Sequence, residues 1–212
     1  MKVVCIPNGQ FIENCYLVIE EASRHCAVID PGEDADLISR TVAAEGAQPV
    51  AIWLTHAHID HVLGVPRVKA DTGAPVFLHP ADRPLYDAMP QQALAFGMRA
   101  APLPVPDRPL AHGDVLRVGG LAFEVRHAPG HSPGHVVLVG HGAAFGGDVV
   151  FAGSIGRTDL PGGDFETLMA SIEREVLSLP DDTILYPGHG PETTVGRERR
   201  TNPFLNGVYR VA

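Results

Sequence analysis

Short apolar runs open the chain at residues 2–6, 13–20 and 25–30, with Pro7-Asn8-Gly9 and Glu20-Glu21 between them as turn signals. They predict three strands in an antiparallel opening. Pro31-Gly32 interrupts the third run. Residues 35–46 then place Leu37, Ile38 and Val42 at helical spacing up to a terminal Gly46. Residues 50–55 are apolar nearly throughout, as in a strand covered on both faces, and lead straight into residues 56–65, read as a loop opening a helix. A short strand at 76–79 precedes a Pro-, Ala- and Gln-rich stretch, residues 80–110, where one or two irregular helical turns are expected.

The second half repeats this order. Runs at 115–118 and 121–128 flank Gly119-Gly120 as a hairpin, and 135–140 and 143–151 follow as further strands. Residues 164–179 form the strongest helical pattern, with Asp164 as N-cap, Leu168, Ile172, Val176 and Leu177 on one face, and Pro180 beyond the end. Residues 183–190 read as a strand entering a Gly-rich turn. Two halves of strands, helix, strand and loop can pack sheet on sheet with helices outside, so the expected fold is α/β, a four-layer αββα sandwich in one domain spanning 1–212.

Composition narrows the function. The 212 residues are 45% hydrophobic and 19% charged, with a formal charge of −9, a field that repels phosphate backbones. No nucleic-acid partner is expected. No apolar run approaches the ~20 residues that cross a bilayer, and the N-terminus has no basic segment followed by an apolar one, so neither membrane association nor a secretory signal is expected. Cys5, Cys15 and Cys26 are odd in number and lie in separate apolar runs. They read as buried free thiols of a cytoplasmic protein.

Eleven histidines direct attention to metal chemistry. His56, His58, Asp60 and His61 fall within six residues as H-x-H-x-D-H. Alternate side chains on an extended turn point one way, so His56 and His58 can converge on one cation while Asp60 and His61 turn toward a second. His131, Asp148 and His189 each follow an apolar strand beside glycine and are the candidates to complete both sites, with Asp148 as a bridging carboxylate. His25, His79, His112, His127 and His141 read as ordinary surface, strand-end or hydrogen-bonded residues. His135 is a candidate to orient a ligand from behind.

HAHIDH, the later His of PGHSPGH, the GD of GGDVV and the final PGHG resemble the metallo-β-lactamase superfamily, in the same order over nearly the whole chain. SIGRTDLPGG and TNPFL resemble its glyoxalase II, or hydroxyacylglutathione hydrolase, group. With 23 residues after His189, the chain looks like the short single-domain type. The resemblance implies the αββα fold, with His56, His58 and His131 on a first metal, Asp60, His61 and His189 on a second, and Asp148 bridging. The cofactors implied are two divalent ions, zinc first, with iron or manganese also suited to these ligands. It further implies attack on a small-molecule thioester, S-lactoylglutathione or a related hydroxyacyl thioester, by a metal-bridging hydroxide that Asp60 helps orient.

Arg157 is a candidate to fork onto a substrate carboxylate, against a surface salt bridge with Asp159 or Asp164. Arg197, Arg199 and Arg200 read as a solvated helix end. Two other readings stand beside the hydrolase. Persulfide dioxygenases share HAH…DH and GRTD but use one iron on residues matching His56, His131 and Asp148; Leu160-Pro161-Gly162-Gly163 after GRTD favours the hydrolase. A non-catalytic zinc-binding module would hold metal without turnover. The sequence leaves the oligomeric state open.

Overall fold

The structure, a computed structural model, describes residues 1–98, 100 and 102–207. The first half contains β1 (Lys2–Asn8), β2 (Glu13–Ile19), β3 (His25–Ile29), α1 (Ala35–Ala44), β4 (Gln48–Trp53), α2 (Ile59–Val62), α3 (Val65–Thr72), β5 (Val76–Leu78), α4 (Arg83–Asp87), α5 (Met89–Ala95) and β6 (Arg108–Pro109). The second contains β7 (Val115–Val118), β8 (Leu121–His127), β9 (Val136–Gly140), β10 (Ala143–Gly147), β11 (Val150–Phe151), β12 (Ser154–Ile155), α6 (Phe165–Ser171), β13 (Ile184–Pro187), β14 (Thr193–Thr194) and α7 (Val195–Thr201).

The strands form two six-stranded mixed sheets, ordered β1-β2-β3-β4-β5-β6 and β14-β13-β10-β9-β8-β7. Each opens as an antiparallel meander and turns parallel where a helix intervenes, at β3/β4 and at β10/β13. Strand alternation then sorts side chains by layer. Tyr16 and Val18 of β2 meet Phe123, Leu138 and Phe145 of the facing sheet, while Leu17 and Ile19 turn outward to Ile38 of α1 and Val65 and Val68 of α3. On the far side Val137, Ala144 and Leu185 pack on Leu168, Ile172 and Val176. Three apolar interiors separate four layers, the expected αββα sandwich. No helix among the described residues is long and apolar enough to cross a membrane.

Three expectations change. Pro7 and Asn8 do not turn; they pair with Asn14 and Glu13, and the turn lies at 9–12, where Gly9 takes φ +66°. Proline is tolerated because β1 is an edge strand, bonded only to β2. Cys5 is exposed, unlike the buried Cys15 and Cys26, because the edge position leaves that side of β1 uncovered. The helix read over 164–179 stops being α-helical at Ser171: Asp164 caps it as expected, but residues Ile172–Val176 widen to a π-turn. There Leu177 N–H donates to the Ile172 carbonyl, and the Glu175 carbonyl accepts from Arg126 instead.

Candidate metal centre

The histidine loops share one rim because β4, β10 and β13 end together there. His56 and His58 follow β4, and His58, in extended backbone (φ −72°, ψ 153°), is the N-cap of α2, which carries Asp60 and His61. Asp148 follows β10 after Gly147 (φ +46°), a conformation that turns the chain at the strand mouth. His189 follows β13. Gly188 beside it is needed for space: a Cβ there would collide with Asp148 Oδ1 and the His61 ring.

Two groups of side chains converge, His56 with His58 and His131, and Asp60 with His61 and His189. In the first, His58 Nδ1 lies 2.8 Å from His131 Nε2. In the second, Asp60 Oδ2 lies 3.1 Å from His189 Nε2 and 3.8 Å from His61 Nε2. Asp148 stands between them, with Oδ1 3.4 Å from His61 Nε2 and Oδ2 3.6 Å from His131 Nε2 and 3.7 Å from His189 Nε2. Ligands at ~2.0–2.1 Å around a tetrahedral ion are separated by about 3.3 Å, so these spacings suit shared cations. His56 Nε2, His61 Nε2 and Asp148 Oδ1 are buried without any hydrogen-bond partner, the state expected of atoms whose partner is a metal. The residues present therefore fit a binuclear centre.

Most of the rings are fixed from behind. His56 Nδ1 is 3.0 Å from Thr55 Oγ1, His61 Nδ1 is 3.1 Å from Asp30 Oδ2, and His131 Nδ1 donates to the Arg157 carbonyl at 2.8 Å. Each bond leaves Nε2 as the free ligand atom. His135 is fully buried, stacks on His56 with centroids 4.7 Å apart, and accepts the Asp148 backbone N–H at 3.1 Å. It supports His56 of the first group and the backbone of Asp148.

Electrostatics divides the site. Burial, aided by neighbouring imidazoles, holds His56 and His135 well below the usual histidine range and His58 at about 3, so these rings are neutral at pH 7. Burial pushes His61 the same way, but Asp60, Asp148 and Asp30 outweigh it and raise its pKa. His189 is likewise raised, its burial overcome chiefly by Asp60. Burial would raise Asp148, yet His61 and the other imidazoles hold it far below the carboxylate range. Cations binding here displace protons from the second group.

Four supporting residues carry no motif signal. Asp30, at φ +48°, accepts Thr55 N–H at 2.7 Å and Thr55 Oγ1–H at 2.6 Å in addition to His61. Both its oxygens are therefore occupied, although it lies close to His56 and His61. Its only trace in the sequence is a carboxylate closing an apolar strand just before Pro31-Gly32. Glu13, buried beside His61 at 3.8 Å, is raised well above the carboxylate range, mainly by burial. The Asn14 side chain bonds to the carbonyls of Pro187 and Gly190 on either side of His189, and Asp82 bonds to Ala57, Ser132 and Gly134 beside the other ligands.

Arg157 is exposed and forms the surface pair considered from sequence, with Nε and Nη2 donating to Asp159 at 2.6 and 2.7 Å. Of the arginines on α7, Arg199 is not simply solvated. It reaches the Leu177 carbonyl at 2.6 Å and pairs with Asp181.

The remaining histidines lie outside the centre. His79 and His127 stack face to face with centroids 4.2 Å apart, and His127 Nε2 lies 2.9 Å from the Pro133 carbonyl. Burial, then the neighbouring His127 ring, lowers His79 to about 4. The unfolded chain therefore binds the proton that the folded chain refuses between pH 6.5 and 4. This part of the stability is present above 6.5 and lost as pH falls to 4. His79→Phe keeps the stack and is expected to flatten the decline in denaturation midpoint over that window, measured against the unsubstituted protein.

The family profile of the metallo-beta-lactamase superfamily matches residues 8–189. The chain belongs to this superfamily. It is 40% identical to the hydroxyacylglutathione hydrolase GloC of Haemophilus influenzae, over 97% of this chain and 99% of that protein. Among solved structures it resembles the subclass B3 metallo-beta-lactamase BLEG-1, with 38% identity and a TM-score of 0.91 over 97% of this chain and 100% of the other. It also resembles TTHA1623 in a di-iron-bound form, with 45% identity and a TM-score of 0.87 over 95% of this chain and 100% of the other. Paired ligand clusters on this superfamily's fold make the chain a metal-dependent hydrolase with a binuclear centre.

Proposed function

We propose that residues 1–212 act as one metallo-hydrolase domain that cleaves a small thioester, of which S-lactoylglutathione or a related hydroxyacyl thioester is the best candidate. The single observation behind this reading is the carboxylate of Asp148 within 3.7 Å of ligand atoms from both triads, one set around His56, His58 and His131 and the other around Asp60, His61 and His189. The named activity of the GloC relative supports the substrate class. Free thiols at all three cysteines support a cytoplasmic setting.

When bound, two divalent ions supply a water acidified from ~15.7 toward ~7 and a Lewis acid for the acyl oxygen. The protein's part is positional. His56 and His58, neutral and buried, present nitrogen lone pairs without competing protons, and His131 turns Nε2 to the same point because its Nδ1 is held by the Arg157 carbonyl. Asp60, between the buried His61 and the more exposed His189, accepts a hydrogen bond from the attacking water, holding it toward the acyl carbon. As the tetrahedral adduct collapses, the thiolate departs with a conjugate-acid pKa of about 8.5 and needs no strong general acid from the chain. Arg157 is proposed to exchange Asp159 for a substrate carboxylate.

Metal analysis of protein purified without added metal, paired with S-lactoylglutathione cleavage under nitrogen, tests the reading. About two metals per chain with oxygen-independent thiol release is expected. A single iron, no cleavage, and oxygen uptake with glutathione persulfide would instead identify a dioxygenase. Tight metal with no turnover of either substrate would identify a binding module.

A further inference from the structure

Resting on the assignment of the two triads as metal ligands, we propose that Asn14 and Asp82 are positioning residues that set the two metal positions separately. Asn14 governs the position of Asp60, His61 and His189, and Asp82 that of His56, His58 and His131.

His189 is the ligand that most needs outside support. It is the most exposed histidine of the centre, at 29%, and among the described residues no hydrogen bond holds the far side of its ring. Its place is set through the backbone of residues 187–190, and that backbone is held by β2 from the opposite sheet. Asn14 N–H donates to the Gly188 carbonyl at 2.7 Å, and Asn14 Nδ2 donates to the carbonyls of Pro187 at 3.0 Å and Gly190 at 2.8 Å. Tyr16 Oη adds a bond to the Pro187 carbonyl at 2.7 Å, and Glu13 and His189 are bridged backbone to backbone. Asn14 is buried, so water cannot replace the side-chain amide when it is removed.

Asp82 does the corresponding work for the other triad. Its Oδ2 accepts the N–H of Ala57 at 2.9 Å and the hydroxyl of Ser132 at 2.8 Å, and its Oδ1 accepts the N–H of Gly134 at 2.5 Å. Ala57 separates His56 from His58, and Ser132 follows His131. One fully buried carboxylate thus fixes the distance between two loops that come from different halves of the chain. The two clamps share no residue and touch no common loop, so each is expected to act on its own triad.

The test is a Zn(II) titration of metal-free protein against a chelator, which reads both affinities in one experiment. His189→Ala and His56→Ala assign each binding step to its triad. Asn14→Ala is expected to weaken the His189 step by about ten- to hundredfold and leave the other within about threefold; Asp82→Ala is expected to do the reverse. Tyr16→Phe and Ser132→Ala each remove one hydroxyl from a clamp. They are expected to give the same split at about three- to tenfold, and they carry the test if the alanine variants do not fold. Equal loss at both steps, or no loss at either, overturns the proposal. Failure of the unsubstituted protein to take up two ions overturns the ligand assignment itself.

Discussion

Asp148→Asn is expected to lower kcat/KM by about a thousandfold or more, equivalent to roughly 4 kcal/mol of transition-state stabilisation. The substitution keeps the shape of the side chain and one carbonyl oxygen. It removes the charge that offsets the cations and replaces one oxygen facing the imidazoles with an amide that cannot accept. Asp148 is the carboxylate that reaches both groups, 3.4 Å from His61 Nε2, 3.6 Å from His131 Nε2 and 3.7 Å from His189 Nε2. Its backbone N–H bond to His135 is untouched, so the loop is expected to keep its course. Steady-state kinetics with saturating metal, metal content per chain and circular dichroism decide the matter together. Native circular dichroism with fewer than two ions and the expected rate loss supports a bridge. Activity within tenfold of the unsubstituted protein, with two ions retained, removes Asp148 from that role.

Asp30→Ala has the largest expected effect on stability, a loss of about 3–5 kcal/mol. Its two oxygens receive the Thr55 N–H, the Thr55 hydroxyl and His61 Nδ1, and both Asp30 and His61 are buried. Removing the acceptor strands donors that have no route to water, each at a cost of about 1–3 kcal/mol. It also frees the His61 ring, so the affinity of the second metal position is expected to fall about ten- to hundredfold. Urea denaturation of the metal-free protein isolates the stability term, and Thr55→Val, which deletes only the hydroxyl, is expected to lose a fraction of it. A midpoint for Asp30→Ala equal to that of Thr55→Val would show that His61 does not depend on Asp30.

The layers were legible because burial writes a period into the chain. β2 is covered on both faces, with Tyr16 and Val18 on one and Leu17 and Ile19 on the other, and it reads as a continuous apolar run. The π-turn at Ile172–Val176 was not legible, since Leu168, Ile172 and Val176 keep helical spacing across it and the partner of the Glu175 carbonyl, Arg126, lies more than forty residues earlier. The exposure of Cys5 was hidden for a related reason: an edge strand and a central strand can share composition, and only the sheet order separates them.

The sequence by itself determined the inventory of candidate ligands that the fold brings together. His56, His58, Asp60 and His61 lie within one turn of chain, where local geometry forces them together, and His131, Asp148 and His189 each stand beside a glycine at the end of an apolar run. Tertiary structure alone decided what holds those ligands. Asp30 reaches His61 across 31 residues, Asp82 reaches Ser132 across 50, and Asn14 reaches Pro187 across 173. Such partners leave no local pattern, because a buried carboxylate or amide is selected by the donors and acceptors around it in space. Those neighbours are fixed only when the two sheets close on each other.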